Sequence, residues 1–228
     1  MNQLFNFFRN NNQNAIHKWL HYFEIYDRHF NVFKNKPISL LEIGVFQGGS
    51  LNMWRDYFGN EAKIYGIDLN PECKKFETDN TKIFIGSQDD SNFLNQVKLQ
   101  VPKLDIIIDD GGHKMKQQIT SFEHLYDHVN DEGVYLVEDL HTSYWGTFEG
   151  GVKKPGTFVE YSKNFIDLLN AWHYCPETIS EFTKSTFGLH FYDSILVIEK
   201  RKILAPKEEM TGKIMIDLAK FSAPNENS

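Results

Sequence analysis

The chain has 228 residues, with 24 Lys+Arg against 31 Asp+Glu and a formal net charge of −7, which argues against a phosphate-backbone partner, since such a partner needs clustered positive charge. Hydrophobic residues make up 41% and charged residues 24%, enough for a real core and against bulk disorder. Two cysteines exclude a disulfide framework or a cysteine zinc site and point to a reduced, cytoplasmic setting.

No apolar run approaches the ~20 residues of a membrane span. The opening MNQLFNFFRNNNQN lacks the apolar core and small-residue cleavage site of a secretory signal. Residues 1–14, rich in Asn and Phe, read as a loose arm or docking segment. Residues 15–33 (HKWLHYFEIYDRHF at their centre) read as one aromatic-rich helix, so that 1–37 form a helical arm.

Residues 38–44 (ISLLEIG), 63–68 (KIYGID), 82–86 (KIFIG), 104–110 (LDIIIDD) and 133–138 (GVYLVE) are short and almost continuously apolar. Strands buried on both faces have this composition. Helical-period stretches at 49–58, 71–77, 90–100 and 115–129 separate them, with a further helix at 158–172. Strand alternating with helix predicts an α/β, doubly wound, mostly parallel sheet. Residues 187–192 and 194–200, joined across Asp193, read as a closing antiparallel hairpin. The expected main domain is 38–203, and 204–228 is a tail whose end, 215–228, frays.

In open parallel sheets ligands bind beyond the C-terminal ends of the strands, and here nearly every strand ends in an acid. Glu42, Gly44, Gly48 and Ser50 belong to a Gly-x-x-x-Gly-Gly turn after the first strand. Its spacing is not that of dinucleotide binders, and no Lys follows to grip a phosphate. Asp68 ends the second strand, where a carboxylate accepts from both hydroxyls of a ribose; capping the loop is the alternative. Gln88 and Asp89 follow the third strand, within reach of an adenine edge. A nucleoside with a cationic rather than a pyrophosphate tail fits this turn, and S-adenosylmethionine is such a molecule.

Asp109, Asp110 and His113 follow the fourth strand, and Glu138, Asp139 and His141 the fifth. Neighbouring strands would bring these carboxylates to roughly 5–10 Å, where they repel unless a hard divalent cation neutralises them. A neutral His113, with an ordinary pKa near ~6.5, is suited to accept a proton. For each of these residues a cap, loop or solvated role is the alternative. His141 is as well suited to a supporting role as to a functional one.

Taken together, LLEIGVFQGGSLNMWRDYF, IYGIDLNP, GSQDD, DIIIDDGGH and EDLHTSYW resemble the class I S-adenosylmethionine-dependent methyltransferases. More narrowly they resemble the metal-dependent sugar O-methyltransferases of macrolide tailoring, with which the cephalosporin hydroxylase family shares fold and metal motif. The resemblance implies a Rossmann-like methyltransferase fold and a Mg²⁺ (or Mn²⁺) held by Asp110, Glu138 and Asp139, with His113 as general base. It also implies an S-adenosylmethionine pocket including Glu42, Gly44, Ser50, Asp68, Gln88 and Asp109. The expected acceptor is a hydroxyl of a sugar or glycosylated molecule whose diol the cation binds; a catechol-type small-molecule O-methyltransferase and a non-catalytic S-adenosylmethionine-binding module are the rival readings. Residues 142–161, glycine-rich and aromatic, suit a mobile lid. Self-association through the aromatic arm is a further expectation.

Overall fold

A computed structural model describes residues 2–175, 177 and 179–216. The apolar runs form β1 (Ser39–Ile43), β2 (Lys63–Asp68), β3 (Thr81–Ile85), β4 (Leu104–Asp109) and β5 (Val129–Val137). The hairpin is β6 (Thr186–Tyr192) and β7 (Ile195–Lys200). All seven join one sheet of order β3-β2-β1-β4-β5-β7-β6. β1 to β5 pair in parallel, and β7 runs antiparallel to both of its neighbours.

Why the strands read as unbroken apolar runs is visible in their packing. Ile106 and Ile108 of β4 enter the core on one face of the sheet, and Ile107 enters the core on the other. Val134 and Leu136 of β5 face the first core, Tyr135 and Val137 the second. With helices on both faces, alternate residues are buried on both sides, so no polar face remains.

The helices are α1 (Gln3–Asn10), α2 (Tyr22–Phe30), α3 (Gly49–Phe58), α4 (Ser91–Lys98), α5 (Met115–Leu125), α6 (Phe158–Leu169) and α7 (Glu181–Ser185). Three expected helices are shorter or tighter than their periodicity suggests. The stretch after β2 is a 3₁₀ turn, Pro71–Phe76, and α5 and α6 each hand over to a single 3₁₀ turn, Tyr126–His128 and Ala171–His173. Strand β5 begins earlier than expected, at Val129.

The N-terminal region departs most from expectation. Residues 3–10 are not a loose arm but helix α1, capped by the Asn2 side chain, with Leu4 fully buried. The Phe5 and Phe8 rings lie 5.5 and 4.9 Å from Phe23, an edge-to-face and tilted packing that fixes α1 on α2. Residues 15–33 are not one helix either. The helix starts at Tyr22, and 15–19 have no regular structure. A tertiary contact explains this. The chain at Asn14–Ala15 crosses the start of α3 so closely that a Cβ on Gly49 would overlap both carbonyl oxygens. A helical turn at that point would withdraw the backbone from this seat. The arm's Tyr22, Phe23, Tyr26, Phe30 and Phe33 share one core with Leu40 of β1 and Trp54 of α3. Among the described residues no helix is long and apolar enough to cross a membrane. The expected fraying at 215–228 falls almost wholly outside the described residues.

Candidate active site

Beyond the C-terminal ends of β1, β2 and β4 lies a cleft of about 450 Å³, lined by Gly44, Phe46, Asp68, Gln88, Asp110 and Gly112 among others. No Lys or Arg lines it. Gly44 makes the cleft possible. Its φ is +95°, and a Cβ there would fall on the Asp110 carbonyl oxygen. Only glycine both adopts that angle without strain and lets the ends of β1 and β4 approach so closely.

Asp68 braces the glycine turn. Its Oδ2 accepts from the amides of Val45 and Phe46 at 2.9 and 3.0 Å, and its Oδ1 from Asn70 at 2.8 Å. A carboxylate has about four acceptor positions, so roughly one remains for a ligand. Gln88 is buried and engaged at both ends. Its Nε2 donates to Asp109 Oδ1 at 2.9 Å, and its Oε1 accepts from the Gly112 amide at 2.8 Å. It thereby fixes the loop between β4 and α5.

Several residues expected around a nucleoside stand behind this wall rather than on it. Glu42 is fully buried and accepts from Ser50 Oγ at 2.7 Å and Trp54 Nε1 at 3.1 Å, tying β1 to α3. Burial raises its pKa to about 7, against the opposing pull of Lys18 and of the Ser50 hydrogen bond. Gly48, with φ +72°, caps the start of α3. Asp109 is buried beneath the loop and accepts from Ser121 as well as Gln88; burial raises its pKa to about 6. Asp89 accepts from the neighbouring Ser87 hydroxyl.

The acid rim lies at the ends of β4 and β5. One donor atom each from Asp110, His113 and Asp139 falls within 4.8 Å of the others. His113 Nε2 is 3.7 Å from Asp110 Oδ1 and 3.4 Å from Asp139 Oδ2. His113 and Asp139 both have φ of +54°. Two non-glycine residues in that sparsely populated region show the loops held against local preference to aim these side chains inward. The Nδ1 of His113 is buried without a hydrogen-bond partner. Two carboxylates facing each other at this distance fit a hard divalent cation, which takes oxygen ligands and leaves the adjacent imidazole free to accept a proton.

Glu138, expected in the same set, is fully buried and already engaged. Its Oε1 accepts from Tyr26 Oη at 2.7 Å and its Oε2 from Lys18 Nζ at 2.9 Å. Lys18 also pairs with Asp110, and its side chain is only 3% exposed. Burial by itself would lower the Lys18 pKa, but Asp110, Glu138 and Glu42 together raise it well above the ordinary lysine range. Burial, reinforced by repulsion from Asp110, raises Glu138. Tyr22 Oη donates to Asp139 Oδ1 at 2.7 Å.

Lys18, Tyr22 and Tyr26 thus each hold one or two rim acids from the N-terminal arm, and the sequence reading assigned none of them a role there. The four-residue spacing of the two tyrosines was the available signal, since it places both hydroxyls on one helix face. His141 stands apart, with Nδ1 2.8 Å from Ser194 Oγ and its ring 4.4 Å from Trp145. The segment 142–161 is anchored by buried Thr142, Ser143 and Phe158 and exposes Tyr144 and Trp145.

No family model matches the chain. It is 35% identical over 201 residues to a demethylmacrocin O-methyltransferase of Streptomyces fradiae, covering 80% of this chain and 50% of that protein. It is 33% identical over 197 residues to a rhamnosyl tetracenomycin-C 2'-O-methyltransferase of Streptomyces olivaceus, covering 81% and 52%. Among solved structures, the MycE methyltransferase in complex with Mg, SAH and mycinamycin VI superposes with a TM-score of 0.77 at 30% identity, over 88% of this chain and 53% of that one.

The chain belongs to the class I methyltransferase family.

The superposition at this TM-score is that of one shared fold. The chain spans about half the length of the curated relatives it matches.

Proposed function

We propose that this methyltransferase transfers the methyl group of S-adenosylmethionine to a hydroxyl of a sugar or glycosylated small molecule, with a divalent cation, Mg²⁺ or Mn²⁺, at the acid rim. The observation that carries the reading is the convergence of Asp110, His113 and Asp139 beside the open cleft. The cleft's lack of cationic side chains suits a sulfonium better than a pyrophosphate. The relatives' names supply the acceptor class, and the MycE complex holds Mg and SAH.

When bound, S-adenosylmethionine supplies an electrophilic methyl on a cationic sulfur, and the dication lowers the pKa of a hydroxyl it touches. The protein's own contribution is placement and proton transfer. Gly44 opens the cleft floor to the ligand, and Asp68 offers its remaining acceptor position to a ribose hydroxyl. Gln88 and Asp109 keep the Gly111–Gly112 loop in position. His113 would take the proton of the acceptor hydroxyl as that oxygen gains the methyl group and the donor's carbon–sulfur bond breaks. Asp110 and Asp139 would hold the cation and orient the imidazole, while Lys18 and Tyr26 keep Glu138 beside them. Tyr144 and Trp145 offer exposed aromatic faces for a sugar. Orientation and electrostatics account for most of the gain.

The test is incubation with S-adenosylmethionine and a panel of glycosides, followed by mass spectrometry, with and without EDTA. Methylated product that disappears on chelation and returns with Mg²⁺ is the expected result. Undiminished turnover under full chelation overturns the cation's role.

A further inference from the structure

A second cluster lies about two turns further along α2 from Tyr22, where the helix meets the C-terminal hairpin. It consists of His29 of α2, His190 of β6 and Glu199 of β7, and one donor atom from each falls within 4.8 Å of the others. His29 Nδ1 is 3.0 Å and His190 Nε2 is 3.4 Å from the same oxygen, Glu199 Oε1. We propose that these three residues form a site for a borderline transition-metal dication of the zinc class, clamping α2 to the β6–β7 hairpin.

Strand register explains how the cluster forms. In the antiparallel β6–β7 pair Gly188 stands opposite Glu199, and His190 lies two residues further along the same face. A Cβ on Gly188 would sit 3.2 Å from His190 Nε2 and 3.9 Å from Glu199 Oε2. Glycine therefore leaves the diagonal open for the carboxylate and imidazole to face each other. α2 lays His29 over that gap, with the His29 and His190 ring centroids 4.8 Å apart.

Three features suit a metal ion better than a simple hydrogen-bonded trio. First, the distances fit. Ligands at ~2.0–2.1 Å from a tetrahedral ion lie about 3.4 Å from one another. Second, His190 Nε2 is buried and lacks a hydrogen-bond partner, although it faces a carboxylate. A buried polar atom left unpaired costs free energy, and a shared cation satisfies it. Third, the other nitrogen of His29, Nε2, is 2.9 Å from Tyr192 Oη. A metal-binding imidazole is ordinarily held through its second nitrogen in this way.

The environment agrees with a partly open site. The His29 side chain is 3% exposed, Glu199 30% and His190 38%, leaving one side for water as a fourth ligand. Burial opposes a charge on His29 and lowers its pKa. Arg28 opposes a cation here, but its side chain is 59% exposed and therefore well screened. Two imidazoles and a single carboxylate favour zinc, cobalt or nickel over magnesium, which distinguishes this site from the oxygen-rich rim.

The test uses the full chain, stripped of metal, titrated with Zn²⁺ by calorimetry and with Co²⁺ by visible spectroscopy. Wild type, His190→Ala, His190→Gln, Glu199→Gln and Asp139→Asn are compared, with circular dichroism to show that each is folded. One equivalent of Zn²⁺ is expected to persist in Asp139→Asn and to weaken at least about tenfold in the His190 and Glu199 variants. Zn²⁺ is expected to raise the Tm of Asp139→Asn by several degrees and to lose that effect when His190→Ala is added. Mg²⁺ binding is expected to be the same in His190→Ala as in wild type. The proposal is overturned if the folded His190 variants bind Zn²⁺ and Co²⁺ as wild type does, or if all Zn²⁺ binding vanishes in Asp139→Asn.

Discussion

Lys18 Nζ lies 2.9 Å from Glu138 Oε2, in a pair whose side chains are 3% and 0% exposed. The same ammonium neutralises Asp110. The N-terminal arm therefore places a fixed positive charge among the carboxylates that the family resemblance assigns to a divalent cation. On that assignment two cations would compete for Asp110 and Glu138, one covalently attached and one dissolved.

Lys18→Met tests this competition. Removing one partner of a buried ion pair ordinarily costs about 3 kcal/mol, because a buried charge is left alone. The metal-free variant is expected to melt below wild type, measured by thermal unfolding. Mg²⁺ is expected to stabilise the variant more than wild type and to bind it at least tenfold more tightly by calorimetry. Equal Mg²⁺ affinity in the two proteins would show that the ammonium does not compete.

His113→Ala and His113→Gln address the proton transfer. A positioned general base contributes about 10²- to 10⁴-fold. Both variants are expected to lose turnover on that scale at pH 7 while binding S-adenosylmethionine within about threefold of wild type. Near-normal turnover would remove His113 as the base.

Asp68→Ala removes the acceptor for three backbone amides. The glycine turn would loosen, and the ribose would lose its partner. S-adenosylmethionine binding is expected to weaken about 10- to 100-fold, equivalent to about 1.4–2.8 kcal/mol, while Mg²⁺ affinity stays near wild type. Calorimetry with each ligand separates the two, and a parallel loss of both would place Asp68 in the scaffold rather than the nucleoside site.

Glu42 sets a pH dependence of stability. Its pKa in the folded chain is raised to about 7 from an ordinary 4.5 by burial, so the folded state holds the proton more tightly than the unfolded one. The stabilisation is complete below pH ~4.5 and is lost as pH rises through ~7, a difference on the order of 3 kcal/mol. Buried Asp109 and Glu138 shift in the same direction, so the comparison must be with Glu42→Gln. Urea unfolding at pH 5 and pH 8 is expected to show a smaller loss in Glu42→Gln than in wild type. Equal losses would mean that Glu42 is ionised at little cost.

The strands were legible because a sheet covered on both faces demands apolar residues at every position, and five such runs stand out between helical periods. The tips of β4 and β5 were legible too, because acids directly after such runs fall at one rim of the sheet. Helix ends were read less well. α5 and α6 stop before their periodicity does, since a closing 3₁₀ turn keeps the same apolar spacing. Residues 15–19 carried helical composition yet stay irregular, because Gly49 lets the chain sit across the start of α3.

The sequence by itself determined the order of strands and helices, the sheet's two buried faces and the acids at its rim, since each follows from local periodicity and from chain direction. Only the tertiary structure decided which acids face a ligand and which face another side chain. It buried Glu42 against Ser50 and Trp54, gave Glu138 to Lys18 and Tyr26, and brought His29, His190 and Glu199 together from three separate elements. Contacts between residues far apart in the chain depend on how the arm and the hairpin pack, and no local pattern records that packing.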